Sequence, residues 1–299
     1  MKTDVECLSC FMRQALRTVR LSQMNSEQEF QIFQKISTLI STMRQDISPV
    51  ANARPFYDRI AELTGNTDPY AEIKQESNVR ATEHLARLMD EMEKTADPLS
   101  LAVRYAIAGN IIDYGGKDVF DIAGFMESCR TQELVIDDIA RLRNRIEMLS
   151  PGSRVLYLVD NCGEIVYDGL LVEILWKHGF DLTVAVKDGP IINDALTADA
   201  LFAGLDRYAA IITNGTRCPG TVLEECSEEF AETFREADLV ISKGQGNYES
   251  LSEEQREIFF LLTVKCSVAA QHLRNTANRD TFRLEGRGEM VVYCSEDRR

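Results

Sequence analysis

Asp160 and Asn161 close an apolar run, Val155 to Val159, and Gly163 and Glu164 follow at once. Carboxylate and amide oxygens are hard donors, suited to Mg²⁺, Mn²⁺ or a similar divalent ion that keeps positions open for water and a phosphate oxygen. Three further strand-like runs also stop on polar clusters: Lys187-Asp188 leading to Asn193-Asp194, Asn214-Gly215-Thr216, and Lys243-Gly244-Gln245-Gly246-Asn247. Functional groups of an open α/β sheet gather outside the carboxyl ends of its parallel strands, so these ends imply one shared crevice. A lysine followed by small residues at a helix start supplies an anion site: a point charge, free backbone N–H groups and the positive end of the helix dipole.

Each motif also has a plainer reading. A strand-terminal Asp-Asn commonly caps the next helix. Lys243-Gly244-x-Gly246 is not a P-loop, because no Gly-x-x-x-x-Gly-Lys-Ser/Thr occurs. Asn110 and Asp113 end an apolar helix before Tyr114-Gly115-Gly116, where they either cap it or reach the crevice. Asp68-Pro69 is most simply a helix start with Lys74 exposed. Cys7 and Cys10 lie one helical turn apart, and buried thiols as core filler are commoner than a metal or redox pair. No second Cys-x-x-Cys completes a zinc site, and His84, His178 and His272 are too dispersed for a triad or a histidine metal centre.

The elements that must carry these groups follow from period and punctuation. Residues 1–150 read as a helical region. Thr3-x-x-Glu6 and Ser26-x-x-Glu29 have the capping-box form, Pro49 and Pro55 punctuate a third helix ending at Thr64-Gly65-Asn66, Asp68-Pro69 opens one running to about Lys94, and Asp97-Pro98 opens the next. Helical pattern continues to Met148. After Ser150-Pro151-Gly152-Ser153 the period changes. Strands are expected at 155–159, 182–186, 209–213, 239–242, 258–264 and 290–293, with helices at 164–178, after Asp194 and at 224–236. That alternation predicts, over 151–299, a three-layer α/β/α domain with a doubly wound, mostly parallel sheet.

Composition bounds the partners. The 299 residues are 44% hydrophobic and 27% charged, enough for a substantial core. A formal charge of -15 argues against nucleic acid, which needs clustered Lys and Arg. No apolar stretch approaches the roughly 20 residues that span a bilayer, and the first residues lack a signal-peptide core, so no membrane partner is expected and a cytoplasmic location is. The eight cysteines lack the paired spacing of a secreted disulfide scaffold.

Asp160-Asn161-x-Gly163-Glu164, Asn193-Asp194, Asn214-Gly215-Thr216 with Pro219-Gly220-Thr221, Lys243-Gly244-Gln245-Gly246-Asn247-Tyr248-Glu249 and Lys265-Cys266 together resemble the metal-dependent damage-control phosphatase family. Cys7-x-x-Cys10, Asp68-Pro69-Tyr70 with Lys74, and Gly109-Asn110-x-x-Asp113 are similar to the branch with an N-terminal Cys-x-x-Cys. The resemblance spans nearly the whole chain. It implies a helical N-terminal region packed on an α/β/α domain, and hydrolysis of small phosphate esters, whether sugar phosphates or phosphorylated or damaged metabolites, with Mn²⁺, Co²⁺, Ni²⁺ or Mg²⁺. Carried over by motif, Asp160, Asn161 and Asp194 match metal ligands and Lys243 matches the residue that holds phosphate. Glu164, Asn193, Asn214, Gly215, Thr216 and Asn247, with Asn110 and Asp113 from the helical half, are the accompanying candidates for substrate contact.

The chemistry these groups would run is metal-assisted phosphoryl transfer to water, with Asp160 or Asp194 orienting the water and Lys243 stabilising charge on the equatorial oxygens. An aspartyl-phosphate through Asp160 is the variant, weakened because Asn161-Cys162 stands where an Asp-x-Asp motif would lie. Two other classes stay open. A carboxyl methyltransferase would need a glycine-rich loop after the first strand, for which Asp160-Asn161-Cys162-Gly163 is a poor substitute. A non-catalytic phosphometabolite-binding protein would bind without turnover.

Overall fold

Strand β2 (Arg154–Leu158) lies inside a seven-stranded sheet that also contains β1 (Leu134–Asp137), β3 (Asp181–Val186), β4 (Ala210–Thr213), β5 (Leu239–Lys243), β6 (Phe259–Val264) and β7 (Glu289–Cys294). The structure is a computed structural model that describes residues 1–109, 122–277 and 283–295. Asn110 and Asp113 therefore lie outside the described residues. The spatial order is β1-β7-β6-β5-β2-β3-β4, and every neighbouring pair is parallel except β6 with β7.

Burial on both faces explains why β2, β5 and β6 read as continuous apolar runs. Val155, Tyr157 and Val159 join a core with Ile241, Leu261 and the helices α5 (Pro98–Ala108) and α8 (Glu164–Lys177). Leu156 and Leu158 face the other way, onto Val240, Phe260 and the helices α10 (Glu228–Glu236), α11 (Gln245–Leu251) and α12 (Ser267–Ala277). The chain runs outward from β2 through β3 to β4, then returns to β5 on the other side of β2. The order of the strands reverses between β2 and β5, which opens a crevice at their carboxyl ends.

The helical reading of 1–150 needs two corrections. Strand β1 lies between α6 (Ile122–Thr131) and α7 (Ile139–Met148) and pairs with β7; four residues are too few for periodicity to separate strand from helix. The boundary at 150 also does not coincide with a break in packing, because Ala81, Leu88 and the buried face of α5 belong to the same core as β2 and α8. A separate small core forms only among α1 (Val5–Leu21), α2 (Ser26–Ser37) and α3 (Pro49–Thr64), around Val19, Ile36, Phe56 and Ile60. Helix α4 (Ala71–Lys94) packs on α8 and α5.

Local capping follows the same chemistry, one residue later than expected at α1 and one residue earlier at α2. Asp4 caps α1, with the Cys7 thiol in place of a carboxylate as the reciprocal acceptor, and Asn25 caps α2 with Gln28. Helix α3 starts at Pro49, contains Pro55 and stops at Gly65, as the punctuation implied. The helix expected over 224–236 divides into a 3-10 turn, Leu223–Glu225, and α10, which Ser227 caps. Among the described residues no helix is long and apolar enough to cross a membrane.

Candidate active site

Two loops close on each other at the end of β2. Ala195 N–H donates to Asp160 O (2.9 Å), Cys162 N–H to Asn193 O (2.9 Å), and Asn161 bridges Asp194 in an isolated antiparallel step. The backbone thus places Asp160, Asn161 and Asp194 together although Asn161 and Asp194 are 33 positions apart in sequence. Ile192, two residues before Asp194, has φ 45, a left-handed conformation that a β-branched side chain resists; such strain clusters at functional sites.

The three side chains share one environment. Asn161 Nδ2 donates to Asp160 Oδ2 (2.6 Å) and reaches Glu164 Oε2 (3.4 Å), which leaves the amide oxygen as the atom of Asn161 not spent on these bonds. Asp194 Oδ2 is buried without a hydrogen bond, its cation being Lys187 Nζ at 3.7 Å. Burial first, then the charge of Asp194, pushes Asp160 up to about 7; burial likewise lifts Asp194 to about 6, against the pull of Lys187 and Lys74. Two buried carboxylates that resist ionising beside each other, an orphaned oxygen and a free amide oxygen make a donor set of hard ligands that fits a divalent cation. No group of three His, Cys, Asp or Glu among the described residues makes a metal site, so this set depends on Asn161.

Lys243 is placed differently from the expectation. It is fully buried beneath the crevice, and its ammonium donates to Glu164 Oε1 (2.5 Å), Asp168 Oδ1 (2.7 Å) and Ala106 O (2.6 Å). An ammonium has three N–H donors, so none is left for a phosphate. Burial opposes the charge, but Asp168 and Glu164 outweigh it and raise the Lys243 pKa. Glu164 is itself raised to about 8, by burial first and then by Asp160 and Asp168 against the pull of Lys243. Tyr157 OH completes the cluster on Asp168 Oδ1 (2.8 Å).

Several candidate substrate contacts build the loops instead. Asn247 donates to Val159 O and Lys243 O and accepts from Thr221 Oγ1, tying β2, β5 and the 219–221 turn together. Asn214 accepts from Thr216 N–H, and Thr216 Oγ1 from Cys218 N–H. Gly215 is a packing glycine: a Cβ there would lie 2.5 Å from Ser227 N. Asn193, half-buried, contributes its backbone oxygen to Cys162.

Other functional residues carried signals that spacing alone did not assign. Glu164 and Asp168 are four apart among the buried, mostly apolar residues of the first half of α8, which puts both carboxylates on one face. Lys74, expected exposed, is buried on α4 and paired with Asp68 (2.6 Å), and its charge acts on Asp194. Lys265, exposed at the carboxyl end of β6, is the lysine that most strongly opposes the rise of Asp160. Cys7 is buried and Cys10 exposed, so the pair does not share one environment.

Residues 3–279 match the model of the damage-control phosphatase ARMT1-like domain. The chain is 34% identical to the damage-control phosphatase PH1575 of Pyrococcus horikoshii, covering 92% of this chain and 95% of that one, and 33% identical to a damage-control phosphatase of Archaeoglobus fulgidus, covering 91% and 96%. The crystal structure of PH1575, described as a DUF89 family protein, superposes with a TM-score of 0.85 at 30% identity, covering 99% of this chain and 100% of that chain.

Proposed function

The chain belongs to the damage-control phosphatase ARMT1-like family and is a phosphatase, and on that premise we propose that it hydrolyses small phosphate esters with a divalent cation held by Asp160, Asn161 and Asp194. The pairing of Asp160 with Asp194 at the topological switch carries this reading: two buried carboxylates whose loops are bonded to each other, both raised toward neutrality by burial, Asp160 also by the charge of Asp194, with one Asp194 oxygen lacking any hydrogen bond. When bound, the cation supplies Lewis acidity toward the phosphoryl group and toward water.

The protein's own groups then divide the remaining work. Lys265 faces solvent at the neighbouring strand end and bears on Asp160, which makes it the cation suited to the equatorial phosphoryl oxygens. Lys187 holds Asp194 in place from behind, itself anchored on Gly220 O (2.6 Å). Lys243 neutralises Glu164 and Asp168 below the site and supports it without touching substrate. Asp160 is oriented by Asn161 and pressed against Gly244, an arrangement for a fixed ligand rather than an attacking nucleophile.

The substrate class is an alcohol phosphate, sugar phosphate or phosphorylated cofactor intermediate. A 4'-phosphopantetheine phosphatase of mouse is 27% identical over 158 residues, 48% of this chain and 19% of that one. All eight cysteines are free thiols, which suits a reducing cytoplasmic setting. The test is a phosphate-release screen over sugar phosphates and phosphorylated cofactors with Mn²⁺, Co²⁺, Ni²⁺ and Mg²⁺. Release from at least one ester, lost on chelation, supports the reading. Binding of phosphate analogues without release from any ester would favour a non-catalytic binding protein.

A further inference from the structure

Both loops that carry the proposed metal ligands are fastened to the same side chain of the helical half. Asn78, buried on α4, accepts a hydrogen bond from Gly163 N–H through Oδ1 (2.7 Å) and donates one to Asp199 Oδ1 through Nδ2 (2.7 Å). Gly163 ends the Asp160-Asn161 loop and has φ 80, so its N–H is held at a sharp turn directly before α8. Asp199 lies five residues after Asp194 in α9 (Thr197–Phe202), and its Oδ2 accepts from Leu196 N–H (2.8 Å), fixing the exit of the Asp194 loop. One amide thus reads the position of one loop with its oxygen and of the other with its nitrogen.

We propose that Asn78 is a positioning residue of the metal site, setting the separation of the Asp160-Asn161 and Asp194 loops through Gly163 and Asp199; this rests on the metal-dependent reading above. Backbone bonds pair the two loops with each other and with the end of β3. Asn78 adds an anchor from α4, whose Lys74, one turn earlier, is buried with its charge on Asp194. The two side chains are four apart on one helix face, so α4 addresses the site at two points. Residues that orient metal ligands at one remove typically change metal affinity by about 10- to 100-fold when lost.

The bond polarity gives a test that packing alone would not pass. Asn78→Asp keeps the size and the acceptor for Gly163 N–H but sets a carboxylate against Asp199. Combining it with Asp199→Asn restores a donor facing an acceptor, keeps an acceptor for Leu196 N–H and leaves the net charge unchanged. Calorimetric titration of the substrate-free protein with Mn²⁺ is expected to show about 10- to 100-fold weaker binding for Asn78→Asp and recovery to within about threefold of wild type in the double variant. Wild-type affinity in Asn78→Asp, or no recovery in a double variant that melts like wild type, would overturn the proposal. Absence of Mn²⁺ binding by the wild type would instead count against the metal-dependent reading, and separates the two.

Discussion

The Asp160 carboxylate rests directly on the backbone of Gly244: a Cβ at position 244 would lie 2.0 Å from Asp160 Oδ2. With φ 81 and ψ 162, Gly244 also holds a conformation that a side chain disfavours by about 1 to 3 kcal/mol. Gly244→Ala is expected to lower the melting temperature and, by displacing Asp160, to cut phosphate release about 100-fold, the scale of an ångström of misplacement. Differential scanning calorimetry and a phosphate-release assay on the same preparation check both parts.

Lys243 is expected to be a stability residue. Lys243→Met leaves Glu164 and Asp168 buried without their shared cation, a loss of about 3 to 5 kcal/mol. Urea denaturation measures it. Full stability with a raised KM would return Lys243 to phosphate binding.

Lys265→Ala is expected to do the reverse. The side chain is exposed, so stability should change by less than about 0.5 kcal/mol, while KM for the ester rises about tenfold, the loss of a charge-assisted bond of about 1.5 kcal/mol. Steady-state kinetics at saturating Mn²⁺ separate the two effects.

The metal-free protein should lose stability as pH rises. Asp160, Asp194 and Glu164 have folded pKa values of about 7, 6 and 8, above their ordinary 3.8, 3.8 and 4.5, so the folded state binds more protons than the unfolded chain in between. The contribution is present below about pH 4 and is lost as pH climbs through the folded values, as the cluster titrates together. Chelator-treated protein should therefore have a smaller contribution from this cluster at pH 8 than at pH 5.5, and Mn²⁺ should raise the melting temperature more at pH 8. Melting curves at both pH values, with and without Mn²⁺, read this; a larger Mn²⁺ effect at pH 5.5 would count against it.

Much of this arrangement was legible in the sequence. The apolar runs ending on Asp160, Lys187 and Lys243 announced a parallel sheet, because strands buried on both faces must be continuously apolar and must end where polar groups begin. Strand β1 was not legible: Leu134-Val135-Ile136-Asp137 is too short for its period to show, and its partner β7 lies far along the chain. The placement of Lys243 was hidden for a different reason. A lysine before a glycine at a helix start looks like an anion site unless Glu164 and Asp168 are seen to turn inward from α8, and their spacing of four was the available sign. Asn78 had no local signal, since its role exists only once α4 meets two loops about 85 and 121 residues away.

The most direct test is Mn²⁺ titration of wild type, Asp160→Asn and Asp194→Asn by calorimetry, with phosphate release measured on the same samples. The expected result is metal binding and chelator-sensitive release by the wild type, and loss of both in each variant while the fold persists by circular dichroism. Unchanged Mn²⁺ affinity in either variant, or full phosphate release by metal-stripped wild type, would contradict the assignment of Asp160 and Asp194 as the ligands on which hydrolysis depends.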